Sequence, residues 1–362
     1  MTFTGSLDRR RFLQTAAFAS CSLISSHELF AAPDNAACAQ VVDSYVRDHQ
    51  FQGVVALGRH GKPFFWKTNG FANVETRQPI GQNSVFGVAS ISKMLTAVTV
   101  LRLQEQSLLQ LDQPIAAYLP YFRKDLGGKL TLRRLLANNS GVPNLFSSSV
   151  KADPALVEQP FTTQQAVHRF CEGDLIFTPG ERFDYSASNW ILVTAIIEAV
   201  TGQPYATAMQ RLTVNPLGLK ATTADVNATG VAAYDNATPP TPRTHKRQPY
   251  LAAGGGYYSN ATDLMRAAHL IFDTGFLSAA SKKELTTIEV PSDHYALGGR
   301  IRELTIGAQT VHAAWDTGNT SGYRSVLGHR LDGKATVVVL NNTSMSQKTL
   351  DEFSDALLAA FA

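Results

Sequence analysis

The 362-residue chain is poor in the residues that build metal and redox sites. Its three cysteines contain no C-x-x-C pair, which excludes a disulfide scaffold and a thiolate zinc site. The nine histidines are scattered, with no H-x-x-x-H or H-E-x-x-H among them, so no metal is required. Neither G-x-G-x-x-G nor G-x-x-x-x-G-K-[ST] occurs, and no cofactor is implied. G-x-S-x-G is missing too, which argues against the nucleophile elbow of an α/β-hydrolase. No apolar run reaches the ~18 residues that suggest a membrane span. The net charge of +3 comes from 32 basic and 29 acidic residues without a basic stripe, so a nucleic-acid partner is disfavoured. What remains is ordinary globular composition, 44 % hydrophobic and 17 % charged, on a chain long enough for two domains or one with a large insertion.

The first residues read as an address. Arg9, Arg10, Arg11, Phe12 and Leu13 form a twin-arginine pattern, followed by a modestly apolar stretch and small residues around Ala31, Ala32, Ala36 and Ala37. This predicts a signal peptide over 1–37 and a bacterial protein exported to the periplasm or beyond. Cys38 and Cys171 would remain; they could pair in an oxidising compartment or stay as two buried thiols.

Periodicity predicts a helix over 39–49, a hairpin over 53–66, the clearest helix over 91–109, and a buried helix over 190–200 stopped by Thr201-Gly202. A helix over 261–273 precedes expected strands near 294–304, 309–315, 322–329 and 335–341, and a last helix covers 347–361. Val337-Val-Val-Leu340 is apolar at successive positions, as in a strand covered on both faces. The fold class is α+β: an antiparallel sheet from 38–88 and 250–362, flanked by helices, with a mainly helical region, 89–249, inserted.

Ser90-Ile-Ser-Lys93 places a hydroxyl and an ammonium three residues apart on one helix face, where the lysine can lower the proton affinity of the serine or its base. A serine starting the helix would also sit where backbone N–H groups favour developing negative charge. The spacing alone is weak. Ser148 and Lys151 repeat it in a Ser-rich segment where chance explains it, and Ser90 is also a plain helix cap.

Five stretches in order resemble the serine hydrolases related to class C β-lactamases, a group that includes D-Ala-D-Ala carboxypeptidases, D-aminopeptidases and β-lactamase-like esterases. They are Phe86–Lys93, Leu135–Pro143, Pro179–Ser186, Ala253–Ser259 with Asp263-Leu264, and Asp316–Tyr323. The resemblance spans about residues 40–360 and implies the β-lactamase/transpeptidase-like sandwich. It implies Ser90 as acylated nucleophile, Lys93 as its electrostatic partner and Tyr185 as general base. The oxyanion hole would be the backbone N–H groups of Ser90 and Asn319. Asp316, Thr317, Gly318, Asn139, His312 and Arg324 are candidate substrate contacts.

Two positions depart from the family. Ala187 stands where an asparagine is usual; Asn189 is near in sequence, but helical geometry should point it elsewhere. Asp316 stands where a lysine or histidine helps hold a substrate carboxylate. Ionised, it would repel that carboxylate and weaken the tyrosine base. Lys93, Arg300, Arg302 or Arg324 could neutralise it, and His312, four residues earlier on a strand, could pair with it. The expectation is therefore an exported serine hydrolase acting on small esters or amides that are neutral or positively charged. A peptidoglycan peptidase or β-lactam hydrolase is the alternative, and a non-catalytic penicillin-binding or sensor module is the third. Tyr257, Tyr258, Trp315 and Phe146 are candidate pocket aromatics, and oligomeric state is left open.

Overall fold

The computed structural model describes residues 35–360 apart from 237–238, 245 and 307, so the expected signal lies outside the described residues except for 35–37, which open the first helix. One six-stranded antiparallel sheet organises the rest. Its strands are β1 (Gly53–Arg59), β2 (Lys62–Asn69), β3 (Arg300–Ile306), β4 (Gln309–Thr320), β5 (Tyr323–Arg330) and β6 (Thr336–Asn341). They lie in the order β2-β1-β6-β5-β4-β3, so the last strand in sequence is central, between β1 and β5.

The alternation of side chains along the two central strands explains their unbroken apolar runs. Val55 and Leu57 of β1, with Val337 and Val339 of β6, face a core shared with α1 (Asn35–His49) and α5 (Gln347–Ala360). Val54, Ala56, Val338 and Leu340 face the other way, toward α4 (Ala261–Asp273) and the helical region. With both faces covered, every position of β6 is buried. Each buried Val or Leu side chain here contributes roughly 1.5–3 kcal/mol of apolar burial.

Between β2 and α4 the chain forms mostly helical segments, of which two carry the site. α2 (Ser92–Glu105) is buried from Ser92 to Leu101, since it lies between the sheet side and the helical region. It ends before the predicted 109 because the backbone leaves the helix after Glu105, with Ser107 in the left-handed region at φ +59°. α3 (Ala187–Thr201) ends, as its sequence suggests, on Gly202 at φ +64°.

One expectation needs correction, and one open alternative is decided. The strand expected from 294 begins only at Arg300, because His294 and Gly298 take left-handed backbone (φ +51° and +80°) and turn the chain beside α2. Cys38 and Cys171 stay as two separate buried thiols: Cys38 lies on the sheet-facing side of α1, and Cys171 lies in the opposite core with its thiol on the Ser188 carbonyl.

Candidate active site

The segment before α2 sets the candidate nucleophile, Ser90. Ser90 does not cap the helix, as expected from sequence, but lies in a 3-10 turn, Ala89–Ile91, just ahead of it. Ala89 takes φ +46°, a left-handed conformation that costs a β-carbon residue about 1–3 kcal/mol. The surroundings hold it there. The Val88 N–H donates to the Tyr257 carbonyl at 3.0 Å, the Ser92 hydroxyl to the Ala89 carbonyl at 2.5 Å, and the Ser325 hydroxyl to the Val88 carbonyl at 3.1 Å. The hydroxyl of Ser90 is thereby turned toward two partners.

The Ser90 and Tyr185 hydroxyl oxygens are 2.6 Å apart. The Lys93 ammonium, buried one helical turn on, donates to Ser90 Oγ at 2.9 Å and to the Gly254 carbonyl. It also stands over the rings of Tyr185 and Trp190, 4.7 and 5.2 Å from their centroids. Burial alone would raise the Tyr185 hydroxyl. The Lys93 charge, the hydrogen bonds with Lys93 and Ser90, and the charge of Arg300 outweigh it and hold the phenol below the usual tyrosine value. A tyrosine so placed can take the proton of Ser90.

Asn138 positions this tyrosine, and the sequence reading missed it. Its backbone is left-handed (φ +51°), and its side-chain oxygen accepts from the Ser186 N–H (3.4 Å), Asn189 Nδ2 (3.3 Å) and Trp190 Nε1 (3.3 Å). Its carbonyl accepts from the Asp184 N–H at 2.7 Å. The tyrosine loop is thus tied on both sides of Tyr185. Only the two adjacent asparagines in Leu135–Pro143 hint at this in sequence. Asn189, as its place on α3 suggests, turns into this network and away from the cleft, with its Oδ1 taken by Ser140.

Two lobes, each of about 400 Å³, open on either side of Ser90 and Asn319. The first is bounded by Phe146, Ala187, Trp190, Leu251 and the 246–248 loop. The second is bounded by Tyr295, Gly299, Arg300, Trp315, Asp316 and Thr317. Asn319 belongs to the half of β4 that runs past the end of β3, whose last pair is Trp315 with Arg300, so among the described residues no strand covers that edge. Gly318 brings this edge against the turn that carries Ser90. A β-carbon there would collide with the Val88 carbonyl oxygen and Ser325 Oγ.

Of the other candidate contacts, Asp316 and Thr317 line the second lobe, whereas three stand elsewhere. Asn139 is fully buried, its backbone bonded to Arg134 and Gly180, because its loop packs beneath the cleft. His312 is exposed, four residues and ~13 Å along β4 from Asp316, and among the described residues no hydrogen bond or ion pair joins the two. The Arg324 guanidinium bonds the carbonyls of Thr320 and Tyr323 and lines neither lobe. Tyr257 and Tyr258 are core residues, while Phe146 lines the first lobe and Trp315 the second. Ser148 bonds its own helix at the Leu145 carbonyl.

Asp316 is buried, and burial pushes its carboxyl up to about 8 against the opposing charges of Arg300 and Lys93. Arg302 plays no part, being stacked on Trp315 and paired with Asp355 at 3.0 Å. At pH 7 the carboxyl is mainly protonated, so the repulsive charge expected from sequence is largely absent. This has a consequence for stability. Below about pH 4 the group is protonated in both folded and unfolded chains; as pH rises toward 8 only the unfolded chain ionises, and folding loses stability. An Asp316→Asn variant should therefore gain on the wild type across that range, by a few kcal/mol at pH 8, in thermal melts recorded as a pH series. A constant difference from pH 4 to 8 would contradict the raised carboxyl.

Comparison with known proteins places this geometry. The family model described as Beta-lactamase matches residues 38–360. The chain is similar to Esterase EstB of Burkholderia gladioli, 26 % identical over 319 residues and 78 % of each chain. It is also similar to Penicillin-binding protein 4* of Bacillus subtilis, 25 % identical over 86 % of this chain and 72 % of that protein. Among solved structures, the octameric penicillin-binding protein homologue from Pyrococcus abyssi shares the fold, with a TM-score of 0.77 at 22 % identity over 90 % of this chain and 77 % of that one. Since the family match runs from α1 to the end of α5 and takes in the whole cleft, the chain belongs to the beta-lactamase family of serine hydrolases.

Proposed function

We propose that the protein is an exported hydrolase that turns over small esters through an acyl-enzyme on Ser90, with amides as slower substrates. The observation that carries the reading is the 2.6 Å contact between the Ser90 and Tyr185 hydroxyls, with Lys93 donating to the same serine. Ser90 Oγ attacks the ester carbonyl as its proton passes to the Tyr185 oxygen. The oxyanion forms between the backbone N–H groups of Ser90 and Asn319. The C–O bond to the alcohol then breaks, and Tyr185 returns the proton to the leaving oxygen. Water repeats the sequence on the acyl-serine, releasing the acid and restoring the hydroxyl.

Esters are favoured for two reasons. Ala187 offers no amide to a substrate peptide group, and Phe146, Trp190 and Leu251 give the first lobe an apolar wall suited to an acyl chain. The likeness to an esterase over 78 % of each chain supports the same reading. Export rests on the twin-arginine pattern at Arg9–Leu13.

The test is p-nitrophenyl butyrate with the protein expressed from its full-length gene, following nitrophenol release, intact mass and the cell fraction that holds the activity. Steady release from wild type, lost in Ser90→Ala, is the expected result. A single burst that leaves a lasting acyl adduct would replace the esterase with an acylated sensor. Release that persists in Ser90→Ala would remove Ser90 from the chemistry.

A further inference from the structure

Asp316 is a buried carboxyl that the hydrolytic steps above do not use. It stands on β4, is 5 % exposed, and lines the same lobe as Ser90, Lys93, Tyr185 and Arg300. Among the described residues no hydrogen bond or ion pair reaches its side chain, although two cations share its lobe. Lys93 is engaged by Ser90 Oγ and the Gly254 carbonyl. Arg300 stands over the rings of Tyr295 at 5.2 Å and Phe183 at 5.8 Å. The seat is close on one side, since a β-carbon added to Gly299 would collide with Asp316 Oδ1.

The charged and titratable groups that face Asp316 are few. Lys93 comes from α2, Arg300 from β3, Tyr185 from the loop before α3 and Tyr295 from the turn before β3. β5 sets uncharged Leu327 opposite it, and α5 lines the lobe with Gln347. A carboxyl withdrawn from water and left without a partner keeps its proton. Burial accordingly pushes Asp316 up to about 8 against the charges of Arg300 and Lys93, and holds the Tyr295 hydroxyl well above its ordinary value. Asp316 thus changes charge just above neutrality, beside the two cations that hold the Tyr185 phenol low.

We propose that Asp316 is an alkaline brake built into the cleft: once ionised, it takes up the field of Lys93 and Arg300, the cations that acidify Tyr185, and so opposes proton transfer from Ser90. It is a positioning residue that acts through Tyr185 and Lys93 and needs no contact with substrate. Two acids that share two cations titrate as a pair, and the charge of one makes the other hold its proton. The oxyanion, forming at the edge of the same lobe, then meets a negative charge instead of an uncharged wall. Below about pH 8 the brake is off, because a neutral carboxyl leaves both cations to the phenol. The proposal rests on the esterase reading above and adds a regulation of that same site.

The test is kcat/KM for p-nitrophenyl butyrate from pH 6 to pH 10, with the rate in Ser90→Ala subtracted as background. The ratio of Asp316→Asn to wild type should rise by about tenfold across that range, one unit of interaction between the two acids, with its midpoint near pH 8. Measured in an Arg300→Gln background, the same rise should begin at higher pH, because the charge that favours ionised Asp316 is gone; an Arg300→Lys background should keep it near the wild-type position. A merely structural Asp316 would give a ratio independent of pH. A constant ratio from pH 6 to pH 10, or a rise unmoved by Arg300→Gln, overturns the proposal. The rate at which a fluorophosphonate modifies Ser90, read by intact mass, supplies the same ratio without ester turnover. Ester turnover that fails while this labelling shows the pH-dependent ratio counts against the esterase reading alone, and no labelling of Ser90 at any pH overturns both.

Discussion

Tyr185→Phe lowers kcat for p-nitrophenyl butyrate by about 10³-fold while the protein stays folded. The substitution deletes one oxygen, the atom 2.6 Å from Ser90 Oγ, and keeps the ring under the Lys93 ammonium. The loop bearing the ring is tied by backbone and by Asn138, none of which the hydroxyl supports. A lost general base is worth roughly 10²–10⁴ in rate, and acylation and deacylation both pass through this oxygen. KM should change little, because substrate contacts lie in the two lobes. Intact mass should show no accumulated acyl-enzyme, since the first step is slowed at least as much as the second. A loss below tenfold would move the base to Lys93, which keeps its hydrogen bond to Ser90 in the variant.

Gly318→Ala is expected to cost both stability and rate, although no side chain of the wild type is removed. A methyl group at 318 meets the Val88 carbonyl oxygen on one side and Ser325 Oγ on the other, and the backbone atom cannot turn aside. β4 must lift from the turn that carries Ser90. Such overpacking costs about 1–3 kcal/mol, visible as a lower thermal midpoint. Asn319 is the next residue, so the proposed oxyanion donor moves with the strand; a displacement near 1 Å costs on the order of 10² in kcat/KM. Gly275→Ala is the control, since a β-carbon there meets nothing within 4 Å and should change neither quantity. Equal behaviour of the two variants would mean that strand and turn are not held in contact.

The sequence carried the regular elements well because their patterns are local. Residues 261–273 alternate apolar and polar at helical spacing and form α4 over those residues. The run Val337–Leu340 implied cover on both faces, and β6 has it. Boundaries drifted where one backbone conformation decides the outcome, as at Ser107 and Gly298, and propensity does not specify such a φ. The pairing of Ser90 with Lys93 was legible because one helical turn joins them. Tyr185 reached the site only through resemblance, since no local pattern links residues 95 apart. Asn138 and the Gly254 carbonyl were left unassigned for the same reason, each arriving from a distant segment. The state of Asp316 depends on how deeply it is buried, a property of the assembled cleft that a sequence position does not reveal.

The strand order has a consequence for the birth of the molecule. β6 emerges last among the strands yet belongs at the centre, joining β1, whose neighbour Gln52 lies 289 residues upstream of its partner Asn341. Such long-range closure makes for a high contact order and slow folding. Until residues 336–341 leave the ribosome, β1 and β5 are both open edges with apolar faces, the condition under which nascent chains stick to one another. The protein is thus most exposed to aggregation until those residues emerge, and a chain cut short before residue 336 would keep Ser90, Lys93, Tyr185 and Asn319 in sequence and lack the strand that lets them meet.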